Sequence, residues 1–441
     1  MAMKTESMSK DSTTKTITGT KDATEQNIEA AVEEIFKAQG KQLLATLLKL
    51  FGSSHLQLAE DCLQETFTKA LSHWRIHGLP GNPPAWLTMT AKHQAIDTLR
   101  KQSKTTDLKP TLGSEWTLQS AIHDTFENTQ DDEITLLLWI ATTELDELNQ
   151  LAIMLKWLCG LSIEETANAL FISYENAKKR LQRTRRQLSE VPFETSALQV
   201  RDTALSKVHK ALYLLFSRTI DPQTVQNDSN KMLCLQSIGL VNLLLKRDKT
   251  ATSETYALYA LMHFHHARFP ARLRGNVLDM PLDMQDRKKW GRSLIIDGTK
   301  LLDHALNKVD ARPGRFLLEA LITYEHCRAT CFESTNWSLI TDYYQKLYLL
   351  TDSPMYLISL AAAQGCAGVP EDGLKSLSDY QRKDTSSVNK HYYATAAFLH
   401  AHLGEHQNTT NCIKLAMKHG MNDIEQGFLH ERINKIASQR P

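Results

Sequence analysis

From Ile28 onward, apolar residues return every third or fourth position almost without interruption, the spacing of one helix face. No stretch alternates convincingly between apolar and polar residues, so an all-α chain is expected. Residues 28–51 form a first amphipathic helix, with Val32, Ile35, Phe36, Leu43, Leu47 and Leu50 among its apolar positions. In the next segment, LQLAEDCLQETFTKALSHW, residues Leu63, Phe67, Ala70, Leu71 and Trp74 share one stripe suited to a core. Asp61, Gln64, Glu65 and Thr68 share a different stripe, acidic and amide-bearing, which by pattern alone reads as a solvated surface. The run His77-Gly78-Leu79-Pro80-Gly81-Asn82-Pro83-Pro84 forces a loop, and Pro84 suits the first turn of the next helix. That helix, AWLTMTAKHQAIDTLRK, turns Leu87, Ala91, Ala95 and Leu99 inward and His93, Asp97, Arg100 and Lys101 outward.

Residues 102–130 are polar and irregular, broken at Lys109-Pro110 and Gly113, and read as a linker with a short helix around 116–122. Helical spacing resumes at 131 and runs into SIEETANALFISYENAKKRLQRTRRQL, residues 162–188. Ile163, Ala167 and Leu170 face inward on a first short helix. Phe171-Ile172 lead into a tight turn and Ser173 is placed to cap the second helix. On that helix Ala177, Leu181 and Leu188 face inward, while Asn176, Lys179, Arg180 and Arg183 face outward. Between Asn176 and Leu188 there are six Lys or Arg residues and no acid. This is the sequence form of a helix-turn-helix whose second helix lies in a DNA groove, though a plain solvated basic face has the same pattern.

From Asp202 the chain reads as consecutive helix pairs, clearest in the last two, where Gly368 and Gly404 stand at equivalent turns. Their spacing is near the roughly 34-residue period of tetratricopeptide (TPR) repeats, whose stacked pairs offer a groove to a peptide or another domain. His263, His265 and His266 do not share the face a metal needs, and Cys327 and Cys331 lack two further ligands, so all five read as structural. Asp283, Asp286, Arg287 and Trp290 suggest a buried ion pair packed on an indole.

Composition narrows the function classes. The net charge of +1 confines any nucleic-acid footprint to local patches such as 176–188. No catalytic, cofactor or metal constellation stands out, so neither an enzyme nor a cofactor is expected. The seven Cys are odd in number, scattered and free of a CxxC pair, which suits reduced thiols in a cytoplasmic protein. Residues 1–27 are Ser/Thr/Lys-rich without an apolar core, a disordered tail rather than a signal peptide, and no run approaches the roughly 20 apolar residues of a membrane span.

Three stretches, AEDCLQETFTKAL, PAWLTMTAKHQAIDTLRK and LDELNQLAIMLKWLCGLSIEETANALFISYENAKKRLQRTRRQL, together resemble regions 2.2, 2.3–2.4 and 4 of the extracytoplasmic-function (ECF) sigma factors of the sigma-70 family. Asp61, Gln64, Glu65 and Phe67 match the family's Asp-x-x-Gln-Glu-x-Phe motif; Trp86-Leu87 and Ala95-Ile96-Asp97-x-Leu99-Arg100 match two more. HFHHARFPARLRGN, LDMQDRKKWGRSLIIDG and the TPR-like close of the chain resemble the subgroup with a long C-terminal extension. The resemblance implies a tail at 1–27, region 2 at 28–101, a linker at 102–130, region 4 at 131–192 and the extension at 202–441. It implies a transcription initiation factor that binds core RNA polymerase at the β′ clamp helices and the β flap, with Asp61, Gln64, Glu65 and Thr68 at the clamp. It implies capture of the opened −10 strand by His77, Asn82, Lys92, His93, Asp97, Arg100 and Lys101, and reading of the −35 duplex by Ser173, Asn176, Lys179, Arg180 and Arg183. An intramolecular contact between extension and sigma core is also expected. Departures from the family pattern are Lys92-His93-Gln94 where relatives carry more Arg, Leu214-Leu215-Phe216-Ser217-Arg218-Thr219 without Asn-Glu-Gly after Phe, and His266 in place of Asp. A stand-alone helix-turn-helix regulator leaves the Asp61 stripe without a purpose, and a TPR-like scaffold with a degenerate sigma half rests only on the weak basicity at 92–94.

Overall fold

The computed structural model describes residues 39–105, 132–158, 160–193, 202–219, 228–274, 277–278, 280–310, 312–383 and 388–438, together with Val32 and Ile35. The expected tail at 1–27 and short helix around 116–122 lie outside the described residues. The architecture is all-α, in two compact units; the first holds residues up to 219 with 227–243, and the second holds 220–226 with 244–441.

In the first unit, α1 (39–51) buries Leu43, Leu44, Leu47 and Leu48. A single 3-10 turn leads into α2 (Leu56–His77), whose buried residues include Leu63, Phe67, Ala70 and Trp74, the stripe expected from periodicity. Leu71 of that stripe is only partly buried. Gly78, with φ 77°, ends α2. α3 (Pro83–Thr105) starts on two prolines, which suit the first turn where backbone N–H groups have no intrahelical partner. It continues to Thr105, four residues into the expected linker. Leu87, Ala91 and Ala95 are fully buried, so α2 and α3 form an antiparallel pair.

The second half of this unit contains α4 (Asp132–Thr142), α5 (Glu147–Leu158), α6 (Ile163–Ala169) and α7 (Tyr174–Ser189). Ser162 and Glu165 form a reciprocal capping box at the start of α6. Ser173 caps α7 by accepting from Asn176 N at 3.3 Å. α8 (Asp202–Thr219) packs on α4, α5 and α6, burying Leu205, Val208, Leu212, Leu215 and Phe216. Arg218 donates to the Glu165 carbonyl at 2.6 Å, and Lys210 pairs with Glu147 at 2.5 Å. α9 (Asp228–Leu245) buries Leu240, Val241 and Leu244.

The second unit is a row of helices, most of them packed on the next in sequence: α10 (Ser253–Arg272), α11 (Arg292–Asn307), α12 (Arg315–Arg328), α13 (Trp337–Thr351), α14 (Met355–Cys366), α15 (Pro370–Lys383), α16 (Lys390–Leu403), α17 (His406–Lys418) and α18 (Asp423–Ser438), with α12 also packed on α10 and α18 on α16. Leu273–Arg274 and Val277–Leu278 form a two-residue antiparallel ladder, the exception to the expected absence of strands. Gly275-Asn276, a pair suited to a tight hairpin turn, was the available signal. α14, α16 and α17 end in one turn type: Gly368, Gly404 and Gly420 take φ of 85°, 79° and 93°. Each donates to the residue three before it, and the following residue donates five back from itself.

Asp283, Asp286, Arg287 and Trp290 do not form the expected ion pair. Asp283 accepts from Arg432 Nε at 2.8 Å, Asp286 caps a 3-10 turn through Lys288 N, and Arg287 lies over the Trp290 ring at 4.8 Å. His263 bonds the Tyr259 carbonyl at 2.8 Å, and burial with nearby Arg268 and Arg272 pushes His265 down to about 3. Among the described residues no helix is long and apolar enough to cross a membrane, and no three His, Cys, Asp or Glu cluster as metal ligands.

Candidate functional site

Asp61, Gln64, Glu65 and Thr68 all lie exposed on α2, opposite Leu63 and Phe67. Asp61 accepts from Gln57 Nε2 at 2.8 Å, a bond within the exposed surface. Glu65 is held more firmly, by Lys69 at 3.4 Å and by Gln94 of α3, which reaches across the α2–α3 pair and also accepts from Lys69. Gln94 is buried, so it spends its amide inside the pair. Cys62, on the core side, has its thiol pushed up to about 12 by burial and is inert as a nucleophile.

The second face combines the α2 end, the loop and α3. His73 and His77 stack with ring centroids 4.3 Å apart, His73 tilts against Trp86 at 5.4 Å, and Trp86 meets the buried Trp74 edge-on at 5.3 Å. Ile76, Leu79 and Met89 are exposed beside them. Along α3, Trp86, Met89, His93, Asp97 and Arg100 share one stripe, all at least partly open to solvent. Asn82 is spent locally, its Oδ1 accepting from Ala85 N at 3.2 Å at the start of α3. Lys92 is partly buried on a neighbouring row, and the Lys101 side chain lies outside the described residues. Aromatic and apolar surface beside cations offers stacking to a base and neutralisation to a phosphate. Met89 and Ile76 were not picked out by sequence, because an isolated apolar residue in a polar stretch carries no periodic signal.

On α7, Asn176, Lys179 and Arg183 are exposed, and Ser173 is exposed at the cap. Arg180 sits differently. Its Nη1 donates to Asp146 at 3.1 Å and Asn149 at 2.8 Å, and its Nε donates to Asn176 at 2.9 Å. It therefore braces α7 against α5 and engages the Asn176 amide, while among the described residues Lys179 and Arg183 make no such contact. The turn before α7 carries Phe171, 94% exposed and at φ 54°. Its backbone makes the same pair of bonds as the glycine turns described above, to Asn168 and, from Ile172, to Ala167.

Within this unit the two halves are tied by polar contacts between residues far apart in sequence. Thr46 donates to Asp132 at 3.0 Å, Lys49 pairs with Asp132 at 3.2 Å, and buried Lys41 pairs with Glu133 at 3.3 Å. Burial nevertheless pushes the Glu133 carboxyl up. On α2, Glu60 accepts from Trp157 Nε1 at 3.2 Å and pairs with Arg185 of α7. A cavity of about 470 Å³ lies beside them, lined by Leu44, Gln64, Lys156, Lys178 and Arg185 among others. Burial pushes Lys156 and Arg185 down from their ordinary values. Glu60 and Arg185 were not singled out from sequence, since neither carries a motif and their pairing is non-local.

Residues 35–105 match the sigma-70 region 2 family, and residues 204–306 match a family of unknown function (DUF6596). The ECF RNA polymerase sigma factor SigM of Bacillus subtilis (strain 168) is 31% identical over 160 residues, covering 36% of this chain and 92% of that protein. An uncharacterized protein of Rhizobium meliloti (strain 1021) is 28% identical over 404 residues, covering 90% of this chain and 94% of that protein. No solved structure matches the chain. The chain belongs to the sigma-70 family. Within it, this is an ECF-like sigma factor with a C-terminal extension, a factor of transcription initiation and not an enzyme. The DUF6596 match begins at 204, whereas the first compact unit takes in α8 and most of α9, so the family boundary and the packing boundary differ.

Proposed function

We propose that the chain directs core RNA polymerase to specific promoters in the cytoplasm through three faces of the first unit. Asp61, Gln64, Glu65 and Thr68 dock on the β′ clamp helices. His77, Trp86, His93, Asp97, Arg100 and Lys101 capture the opened −10 strand, with Lys92 on a flanking row and Asn82 setting the start of α3. Asn176, Lys179 and Arg183 enter the major groove of the −35 element from the helix-turn-helix α6–α7, where Arg and Lys serve bases and phosphates alike. Ser173 caps that helix and Arg180 orients it, and region 4 also meets the β flap. The domain reading is a tail at 1–27, region 2 at 28–101, a linker at 102–130, region 4 at 131–192 and a TPR-like extension at 202–441 that modulates activity.

The observation that carries this reading is the exposure of the Asp61 stripe on a helix whose opposite face is buried. A surface acid stripe needs no fixed order of Asp, Gln and Glu; a docking surface does. In run-off transcription with core polymerase and promoter DNA, the chain is expected to select a start site that core alone does not. Absence of selection overturns the proposal. In pull-downs on a β′ clamp fragment, Asp61→Ala or Gln64→Ala should cost at least about 1 kcal/mol, roughly fivefold in affinity. A stand-alone DNA-binding regulator would show no such dependence.

A further inference from the structure

Two guanidiniums in the second unit lie over the ring of one indole. Arg268 Cζ is 5.5 Å and Arg287 Cζ 4.8 Å from the Trp290 centroid, and Trp290 itself is buried. Among the described residues neither arginine has a carboxylate at ion-pair distance. Arg287 serves the local structure, its Nη1 donating to the carbonyls of His326 and Ala329 at 2.6 Å each and so closing the end of α12. Arg268 has no such role: among the described residues it makes no hydrogen bond, and besides the indole it neighbours Cys327, Tyr344 and the cations Arg272 and Arg287. Three buried donors on these touching side chains, Arg268 Nε, Arg287 Nη2 and Trp290 Nε1, have no acceptor.

The surroundings do not supply a counter-charge. Glu333, the acid whose field reaches Arg287, is engaged by Lys435. Burial pushes the Cys327 thiol up to about 11, with the two arginines only partly offsetting it, so it is neutral at pH 7. His326 is pushed down to about 3 by burial, then by Arg268 and Arg287, and is neutral as well. A partly desolvated cation costs several kcal/mol when unpaired, whereas cation–π contact returns about 2 kcal/mol. Packing on Trp290 therefore leaves the cluster short of negative charge.

We propose that Arg268, Arg287 and Trp290 form a binding site in the extension for a small oxyanion, a carboxylate or phosphate group that accepts from their unpartnered N–H donors. Guanidinium forks match both groups bidentately, and the indole N–H adds a third donor without adding charge. The site lies in the second unit and the proposed polymerase and promoter faces in the first, so its test needs neither.

Thermal unfolding of the full chain, followed with sodium phosphate, sodium succinate and sodium chloride at matched ionic strength, tests it. A saturable rise in midpoint with phosphate or succinate, absent with chloride, is expected, because a ligand bound to the folded state stabilises it by mass action. The anion that raises the midpoint identifies the group. Arg268→Gln should lose the rise, yet unfold no earlier than the parent without anion, since it removes an uncompensated cation. No saturable rise, an equal rise with chloride, or a rise retained in Arg268→Gln overturns the proposal. Should Arg268→Gln not fold, Trp290→Phe keeps an aromatic face under the guanidiniums and removes the N–H together with the pyrrole ring that carries it. It should weaken binding about tenfold, equivalent to about 1.4 kcal/mol, and unchanged affinity overturns the proposal.

Discussion

Phe171 occupies a turn position that the protein elsewhere gives to glycine. The hydrogen-bond pattern at Phe171 is that of Gly368, Gly404 and Gly420, with φ 54°, but a left-handed backbone crowds any Cβ. Its ring is 94% exposed, so it gains little burial in exchange. Phe171→Gly should raise stability by about 0.5 to 1 kcal/mol in urea unfolding of the first unit, after the greater freedom of glycine in the unfolded chain is discounted. If the ring is kept for contact with promoter or polymerase, the same variant will be more stable and transcribe less.

Two buried histidines set an acid limit at the same scale. His209 in the first unit and His326 in the second are both pushed down to about 3, chiefly by burial. Below the unfolded value of about 6.5 the unfolded chain takes up the proton and the folded chain does not. Stability is therefore full above about pH 6.5 and falls with acidification by up to about 1.4 kcal/mol per pH unit per histidine. Urea midpoints measured from pH 7.5 to pH 4.5 should decline in this direction. A midpoint that rises on acidification contradicts it.

At the scale of elements, close approach decides which glycines can be replaced. A Cβ at Gly373 of α15 would stand 2.7 Å from Leu399 Cδ2 and 2.9 Å from the Ala361 carbonyl oxygen, joining three helices where no side chain fits. Gly427, exposed in α18, has nothing within 4 Å. Gly373→Ala should cost about 1 to 3 kcal/mol, whereas Gly427→Ala should stabilise by about 0.5 to 1 kcal/mol. Thermal unfolding of the two variants, otherwise the same chemical change, separates packing from helix propensity. Glu254 makes a comparable fit, capping α12 through Phe316 N at 2.9 Å and Leu317 N at 3.0 Å against Gly314.

At the scale of the whole molecule, the pair Glu60–Arg185 brings α2, which carries the proposed docking stripe, and the basic helix α7 together within the first unit. Gln64 of the proposed docking stripe lines the cavity beside that pair. α8 packs over α4, α5 and α6 of the first unit, so a cut after residue 195, between the expected region 4 and the expected extension, would strip an apolar cover rather than isolate a regulator. A fragment ending at 195 should lose more than about 3 kcal/mol relative to one ending at 245, given the several large apolar side chains α8 buries. Urea unfolding of both fragments checks this, and equal stabilities would contradict it. Comparing the longer fragment with the full chain in transcription tests whether the extension modulates activity.

What the sequence alone determined was local or periodic. The buried stripe of α2, the proline start of α3, the Ser173 cap and the exposed face of α7 follow from spacing and end chemistry, which depend on neighbours within a turn or two. The family was legible for the same reason, because its motifs are short. Tertiary structure alone decided which polar groups are spent inside: Arg180 on α5, Gln94 across the α2–α3 pair, Asp283 on Arg432 rather than beside Arg287. It also decided the Glu60–Arg185 pair, the place of α8 in the first unit, and the gathering of Arg268 and Arg287 on Trp290. Those depend on which helices meet, and a charged residue on a helix face carries the same local signature whether it meets water, a partner or another cation.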